Sequence, residues 1–131
     1  MFNLKKNIIK SMIKIDTISN QPGELKLFAK QVMEVDDEYK PYEHFAIQAI
    51  KKLDGITDVN VNYNDGIVTI LYNNDKVLVD EIYKWIDMLI DITIDNKKFI
   101  QDNWENNTQM VWNTLNPILD KQVAGIKNKR H

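Results

Sequence analysis

The sequence has no cysteine among its 131 residues. This absence excludes thiolate nucleophiles, CxxC redox chemistry, disulfides and cysteine-based zinc or copper sites. Its four glycines stand far apart, so they cannot form a glycine-rich loop that cradles a phosphate group. The only serines are Ser11 and Ser19, and neither lies in a glycine-bounded elbow of the kind that presents a catalytic hydroxyl. We therefore predict no catalytic residues and no cofactor.

Charge of one sign and long apolar runs are also lacking. The chain carries 17 basic and 19 acidic side chains, a net charge of −2, so it has no strong positive field for a nucleic-acid backbone. No apolar run reaches the roughly 18 residues that a membrane-spanning helix needs, and no secretory signal is visible. We expect a cytoplasmic protein without nucleic-acid partners or a transmembrane segment. With 44% hydrophobic residues, the chain can bury the core of one globular domain.

The first 20 residues predict an amphipathic helix. Lysines at positions 5, 6, 10 and 14 alternate with apolar residues at near-helical spacing. The apolar residues are Met1, Phe2, Leu4, Ile8, Ile9, Met12 and Ile13. We favour packing of this helix on its own domain. The alternative is contact with an anionic membrane surface or docking on a partner.

Residues 21 to 96 have the pattern of an α+β domain. After a turn at residues 20–23, residues 24 to 34 fit either a strand or a helix. A helix with one apolar stripe then ends at Gly55. Alternating residues on both sides of Asp65-Gly66 predict a hairpin with a two-residue type I′ turn. This turn would place Val61 opposite Ile70.

The remainder of the chain is predicted to be helical. A helix starts near Val79, and residues 90 to 96 fit a strand or a continuation of that helix; we favour the helix because no breaker interrupts it. In the extension from 97 to 131, Asn106-Asn107-Thr108 and Asn116-Pro117 each resemble a helix start. They predict two short helices. Trp104 and Trp112 are assigned to the core rather than to a stacking platform, because basic charge is lacking around them.

The middle of the chain resembles the heavy-metal-associated domain family, in particular its cysteine-free branch. The motifs that carry the resemblance are Leu53-Asp54-Gly55-Ile56, Val59-Asn60-Val61-Asn62, Asp65-Gly66-Ile67-Val68, Leu71-Tyr72 and the opening Pro22-Gly23-Glu24-Leu25-Lys26-Leu27. They span about residues 22 to 90. The resemblance implies a ferredoxin-like split βαβ sandwich. Members of the cysteine-free branch are found near P-type cation ATPases and as small stand-alone proteins. Its motifs determine fold more than activity.

The sequence departs from that family where the family's metal-binding members carry CxxC. Counting back from Gly55 places Tyr39 and Tyr42 at those two positions. Neither is a ligand for a soft metal, so thiolate transfer of copper or zinc has no chemical basis in this chain. The two tyrosines could instead form an interaction surface, or they could pack on the hairpin.

One cluster of hard ligands is present in the same region. Asp36, Asp37, Glu43 and His44, with Glu38 nearby, could hold a divalent cation through oxygen and imidazole ligands. Acidic residues are also favoured electrostatically at a helix start, without any metal. Our prediction is that the chain has no metal site, and these residues are the candidates if one exists.

Together these features predict an α+β fold: a ferredoxin-like split βαβ sandwich with an N-terminal amphipathic helix (1–20), a central domain (21–96) and a C-terminal helical extension (97–131). The predicted function is a non-enzymatic interaction or accessory module without a thiolate metal site. We expect a protein partner, such as a cation transporter, and a homodimer. The alternatives are a metal sensor or carrier that uses the carboxylate and His44 cluster, and a peripheral membrane partner of a cation-transporting ATPase.

Overall fold

The computed structural model describes residues 15–34 and 43–127, which form an α+β fold. The strands are β1 (Ile15–Gln21), β2 (Glu24–Ala29), β3 (Ile56–Asn62) and β4 (Ile67–Tyr72). The helices are α1 (Glu43–Lys51), α2 (Val79–Asp95), α3 (Lys97–Asn103) and α4 (Thr108–Lys127), and a short 3-10 helix (Lys30–Glu34) follows β2. The predicted class is confirmed, and residues 24–34 are a strand followed by a 3-10 turn.

The predicted N-terminal helix is wrong for its last residues. Residues 15–20, assigned above to that helix, belong to strand β1, and residues 1–14 lie outside the described part of the chain. The strand forms because Pro22-Gly23 makes a two-residue turn that pairs Gln21 with Glu24. Gly23 has a φ of 87°, which suits the third position of a type II turn after proline. The turn thus folds residues 15–21 back on β2.

The four strands form one antiparallel sheet in the order β1-β2-β4-β3. Helix α1 connects β2 to β3, and β4 lies between these two strands. Strands β1 and β3 are the edges. The chain therefore builds the sheet from two hairpins and joins them through the β2–β4 pair.

The second hairpin has a different register from the predicted one. Val61 lies opposite Val68 rather than Ile70, and the loop has four residues, 63–66. A type I′ turn needs positive φ at both loop residues, but within the described ranges only glycines have it. Instead, the Asn62 Oδ1 accepts hydrogen bonds from the Asn64 and Asp65 N–H groups, and Gly66 N–H donates to the Asn62 carbonyl at 2.9 Å. The shift is two residues, so each side chain keeps its predicted face.

The main core lies between one face of the sheet and helices α1 and α2. Leu25, Leu53, Ile70, Ile82 and Trp85 have no exposed side-chain surface at all. The Trp85 indole donates its Nε1–H to the Ala49 carbonyl at 3.0 Å, which joins α2 to α1. Burying each such large apolar side chain contributes about 1.5–3 kcal/mol, so this layer supplies most of the hydrophobic stabilisation.

Helix α2 includes residues 90–95, as favoured from the sequence. At its start, the Leu78 N–H donates to the Glu81 carboxylate at 2.8 Å, which satisfies one free backbone donor. At its end, the Asn96 side-chain amide donates to the Ile92 carbonyl at 2.8 Å. The chain then continues into α3 at Lys97. An asparagine, not glycine or proline, thus separates the two helices.

The predicted helix start at Asn106-Asn107-Thr108 is confirmed, but the predicted second start at Asn116-Pro117 is wrong. Residues Thr108–Lys127 form one helix, α4, with Pro117 inside it. Proline lacks the N–H that would bond to the Asn113 carbonyl. Its cost is offset because a buried stripe continues on both sides of it, through Val111, Leu115, Leu119 and Ile126. No helix in the described residues is long and apolar enough to cross a membrane.

Candidate functional site

Most of the residues singled out from the sequence cannot be placed. Tyr39, Tyr42, Asp36 and Asp37 lie outside the described residues. Glu43 and His44 are the first two residues of α1. The described part of the chain contains no group of three or more acidic or histidine side chains that could hold a metal ion.

His44 is exposed and has a partner within its own helix. Its Nε2 lies 2.8 Å from the side-chain Nε2 of Gln48, one helical turn later, within hydrogen-bond distance. The His44 ring also meets the edge of Phe45, with centroids 5.6 Å apart. These contacts describe a surface histidine that is engaged with its neighbours.

Glu43 is engaged with the loop of the second hairpin. Its carboxylate accepts a hydrogen bond from the Tyr63 hydroxyl. Burial raises the pKa of Tyr63 above its ordinary value, and the negative charge and hydrogen bond of Glu43 raise it further. The pair thus ties the start of α1 to residues 63–66.

An apolar cavity of about 290 Å³ lies between α1, α2 and α4. Its walls include Ala46 and Ile50 from α1, Leu89 from α2, and Val111 and Leu115 from α4. None of the described residues that line it carries a charge. Apolar walls of this kind suit an apolar ligand.

Three aromatic rings form one part of the cavity wall. Phe45 packs edge-on against Trp104, with centroids 5.8 Å apart, and lies tilted against Trp112 at 5.2 Å. Trp104 is buried, whereas Trp112 is only partly buried. Such rings offer large apolar contact areas at low conformational cost. Both tryptophans belong to the predicted core, but their contact with Phe45 depends on how three helices pack together.

One lysine stands next to this aromatic wall. The Lys52 Nζ lies 5.6 Å from the centroid of the Trp112 ring, within range for a cation–π interaction. The same ammonium donates to the Asp120 carboxylate at 2.5 Å, across 68 residues of chain. The Lys52 side chain is 18% exposed, and that of Asp120 is 61% exposed. The cation is therefore held against the aromatic wall by an acid that lies largely in solvent.

A buried amide lies on the same side of α4. Asn116 is four residues from both Trp112 and Asp120, so helical periodicity places all three on one stripe. Its Oδ1 is buried and has no hydrogen-bond partner among the described residues. A buried acceptor without a donor costs free energy, so this position favours a hydrogen-bond donor such as a bound water.

The comparisons with known proteins add no relative. No family model, no curated protein and no solved structure matches this chain. The candidate site is consequently defined by its geometry alone.

Proposed function

We propose that this chain is a non-enzymatic interaction module whose binding site is the apolar cavity between α1, α2 and α4. The observation that supports this function is the composition of the walls, which are aliphatic and aromatic apart from Thr93 and include no charged side chain from the described residues. General acid–base catalysis needs a titratable group within hydrogen-bond reach of the substrate. A predominantly apolar wall favours binding by exclusion of water.

The heavy-metal-associated resemblance remains part of the proposal, as a fold without its metal site. Support comes from the path β2-α1-β3-β4, in which β4 lies between β2 and β3, the arrangement of a split βαβ unit. Strand β1 then occupies the edge position where a ferredoxin-like sheet places its last strand. In this interpretation the edge strand comes from the N-terminal side, and the chain after α2 is free to form α3 and α4.

We also propose a cytoplasmic homodimer with a protein partner such as a cation transporter. The two edge strands support self-association, because an edge strand has backbone groups that can pair with another chain.

The test is titration of the purified full-length chain with an uncharged apolar fluorophore, N-phenyl-1-naphthylamine, together with native mass spectrometry in copper(I), zinc and manganese. We expect one fluorophore per chain and no stoichiometric metal. Leu115→Phe, which fills part of the cavity, should weaken fluorophore binding, and exposed Met110→Leu on the same helix should leave it unchanged. The proposal would be overturned if the chain binds one of these metals with sub-micromolar affinity. It would also be overturned if the apolar fluorophore does not bind.

A further inference from the structure

The cavity and the side chains beside it together indicate the chemical class of the ligand. The apolar walls accept an apolar body, whereas the Lys52 ammonium lies 5.6 Å from the centroid of Trp112, one of the rings that line the cavity. A ligand that uses both must be amphiphilic. Its polar end must interact favourably with the Lys52 ammonium.

The size of the cavity limits the apolar part. Because a water-sized group occupies about 30 Å³, a volume of 290 Å³ holds about ten such groups. This is the size of one medium-length aliphatic chain. An α-helix of a partner protein is about 10–12 Å across and would not enter without displacing α4.

The charge of the polar end follows from Lys52. Its side chain is mostly buried, and its ammonium is balanced by Asp120, whose own side chain is largely exposed. An anion placed beside Trp112 would lie next to the Lys52 ammonium, which is already largely removed from water. It would compete with the Asp120 carboxylate, which can become fully hydrated at little cost in free energy. A cationic head group would be repelled by the Lys52 ammonium, because both carry a positive charge.

We propose that the cavity binds a single-chain amphiphile with about ten carbons and an anionic head, the chain lying between α1, α2 and α4 and the head pairing with the Lys52 Nζ. This inference rests on the function proposed above, because it assigns a ligand class to that same cavity.

The experiment compares three probes on the purified full-length chain by isothermal titration, all below their critical micelle concentrations. Decanoate, decanol and decyltrimethylammonium each have a ten-carbon chain, the carboxyl carbon of decanoate included, and they differ in head-group charge. We expect one decanoate per chain, bound about tenfold more tightly than decanol, and weaker binding still of the cationic probe.

Two variants with opposite expected effects test the role of Lys52. Lys52→Met keeps the alkyl stem but removes the charge, and it should weaken decanoate about tenfold without changing decanol. Asp120→Asn removes the competing acid, so decanoate should bind several-fold more tightly. The control is Lys98→Met, which breaks the exposed Lys98–Asp102 pair on α3 and should change neither probe. Circular dichroism verifies that each variant is folded.

The outcomes separate the two proposals. If decanol, decanoate and the cationic probe bind equally, the anionic preference is wrong while the apolar site stands. If Lys52→Met and Asp120→Asn both leave the decanoate affinity unchanged, Lys52 is not the head-group partner and the inference fails. If no probe binds, the proposed function itself fails.

Discussion

The two faces of the α1–α2 layer differ in how completely they are packed. Toward the sheet, the large side chains of both helices and strands are closely packed, and those of Leu25, Ile70 and Trp85 leave no exposed surface. Toward α4, the same helices leave a cavity of about 290 Å³. Native interiors are normally filled to the density of organic crystals. The difference indicates that the sheet side holds the fold together and that the α4 side has room for binding.

The largest difference in unfolding free energy should come from two glycine substitutions. Gly55→Ala would place a Cβ 2.8 Å from the Val77 side chain at a φ of 104°, so we expect a loss of about 3 kcal/mol in unfolding free energy. Gly125→Ala, in α4, meets no atom within 4 Å and should stabilise the chain by about 0.5–1 kcal/mol. Urea unfolding monitored by tryptophan fluorescence measures both. Equal losses at the two positions would show that the α4 side is as tightly constrained as the sheet side.

A second pair of variants replaces leucine with phenylalanine once on the sheet side and once on the α4 side. Leu25→Phe enlarges a side chain with no exposed surface and should cost about 2 kcal/mol through overpacking. Leu115→Phe enlarges a side chain that lines the cavity, and we expect a change between zero and about 1 kcal/mol of stabilisation. Thermal unfolding of the two variants compares them directly. A similar loss in both would contradict the presence of unfilled space.

The smallest expected effect concerns pH and the Glu43–Tyr63 pair. The pKa of Tyr63 is raised in the folded chain by burial first and by Glu43 second, so the neutral phenol is favoured there. The resulting stabilisation is fully present below the unfolded pKa of about 10 and is lost as pH rises through the higher folded value. Tyr63→Phe should therefore differ from the parent by a constant amount below about pH 10 and converge or cross above it. Urea unfolding of both chains across this range provides the measurement, and parallel curves throughout would refute the assigned cause.

Local patterns predicted the parts of the fold that depend on one segment at a time. The apolar stripe of α1, its end before Gly55, the alternating residues of β3 and β4 and the helical character of residues 90–95 are all confirmed. Each depends on periodicity or on one turn residue. The faces of the second hairpin were also predictable, because a register error of two residues preserves the alternation.

The wrong predictions concern competition between local and long-range interactions. Residues 15–20 lie within the bounds of the predicted N-terminal helix, but pairing with β2 determines their conformation. Pro117 reads as a helix start, yet burial of Leu115 and Leu119 on either side keeps α4 continuous. The cavity could not be predicted, since it depends on the distances among three helices that no sequence period encodes. The Lys52–Asp120 pair is likewise a contact between distant segments.

The connection of the sheet by two hairpins has a consequence for the speed of folding. Hairpins with turns of two and four residues close locally, typically within about 1–10 μs. The β2–β4 pair, in contrast, joins Leu25 to Ile70 across the whole of α1 and β3. Closing that loop is entropically the slow step, because non-local pairing delays the transition state. We therefore expect the refolding rate of this chain to respond to mutations at the β2–β4 seam far more than to mutations in either turn.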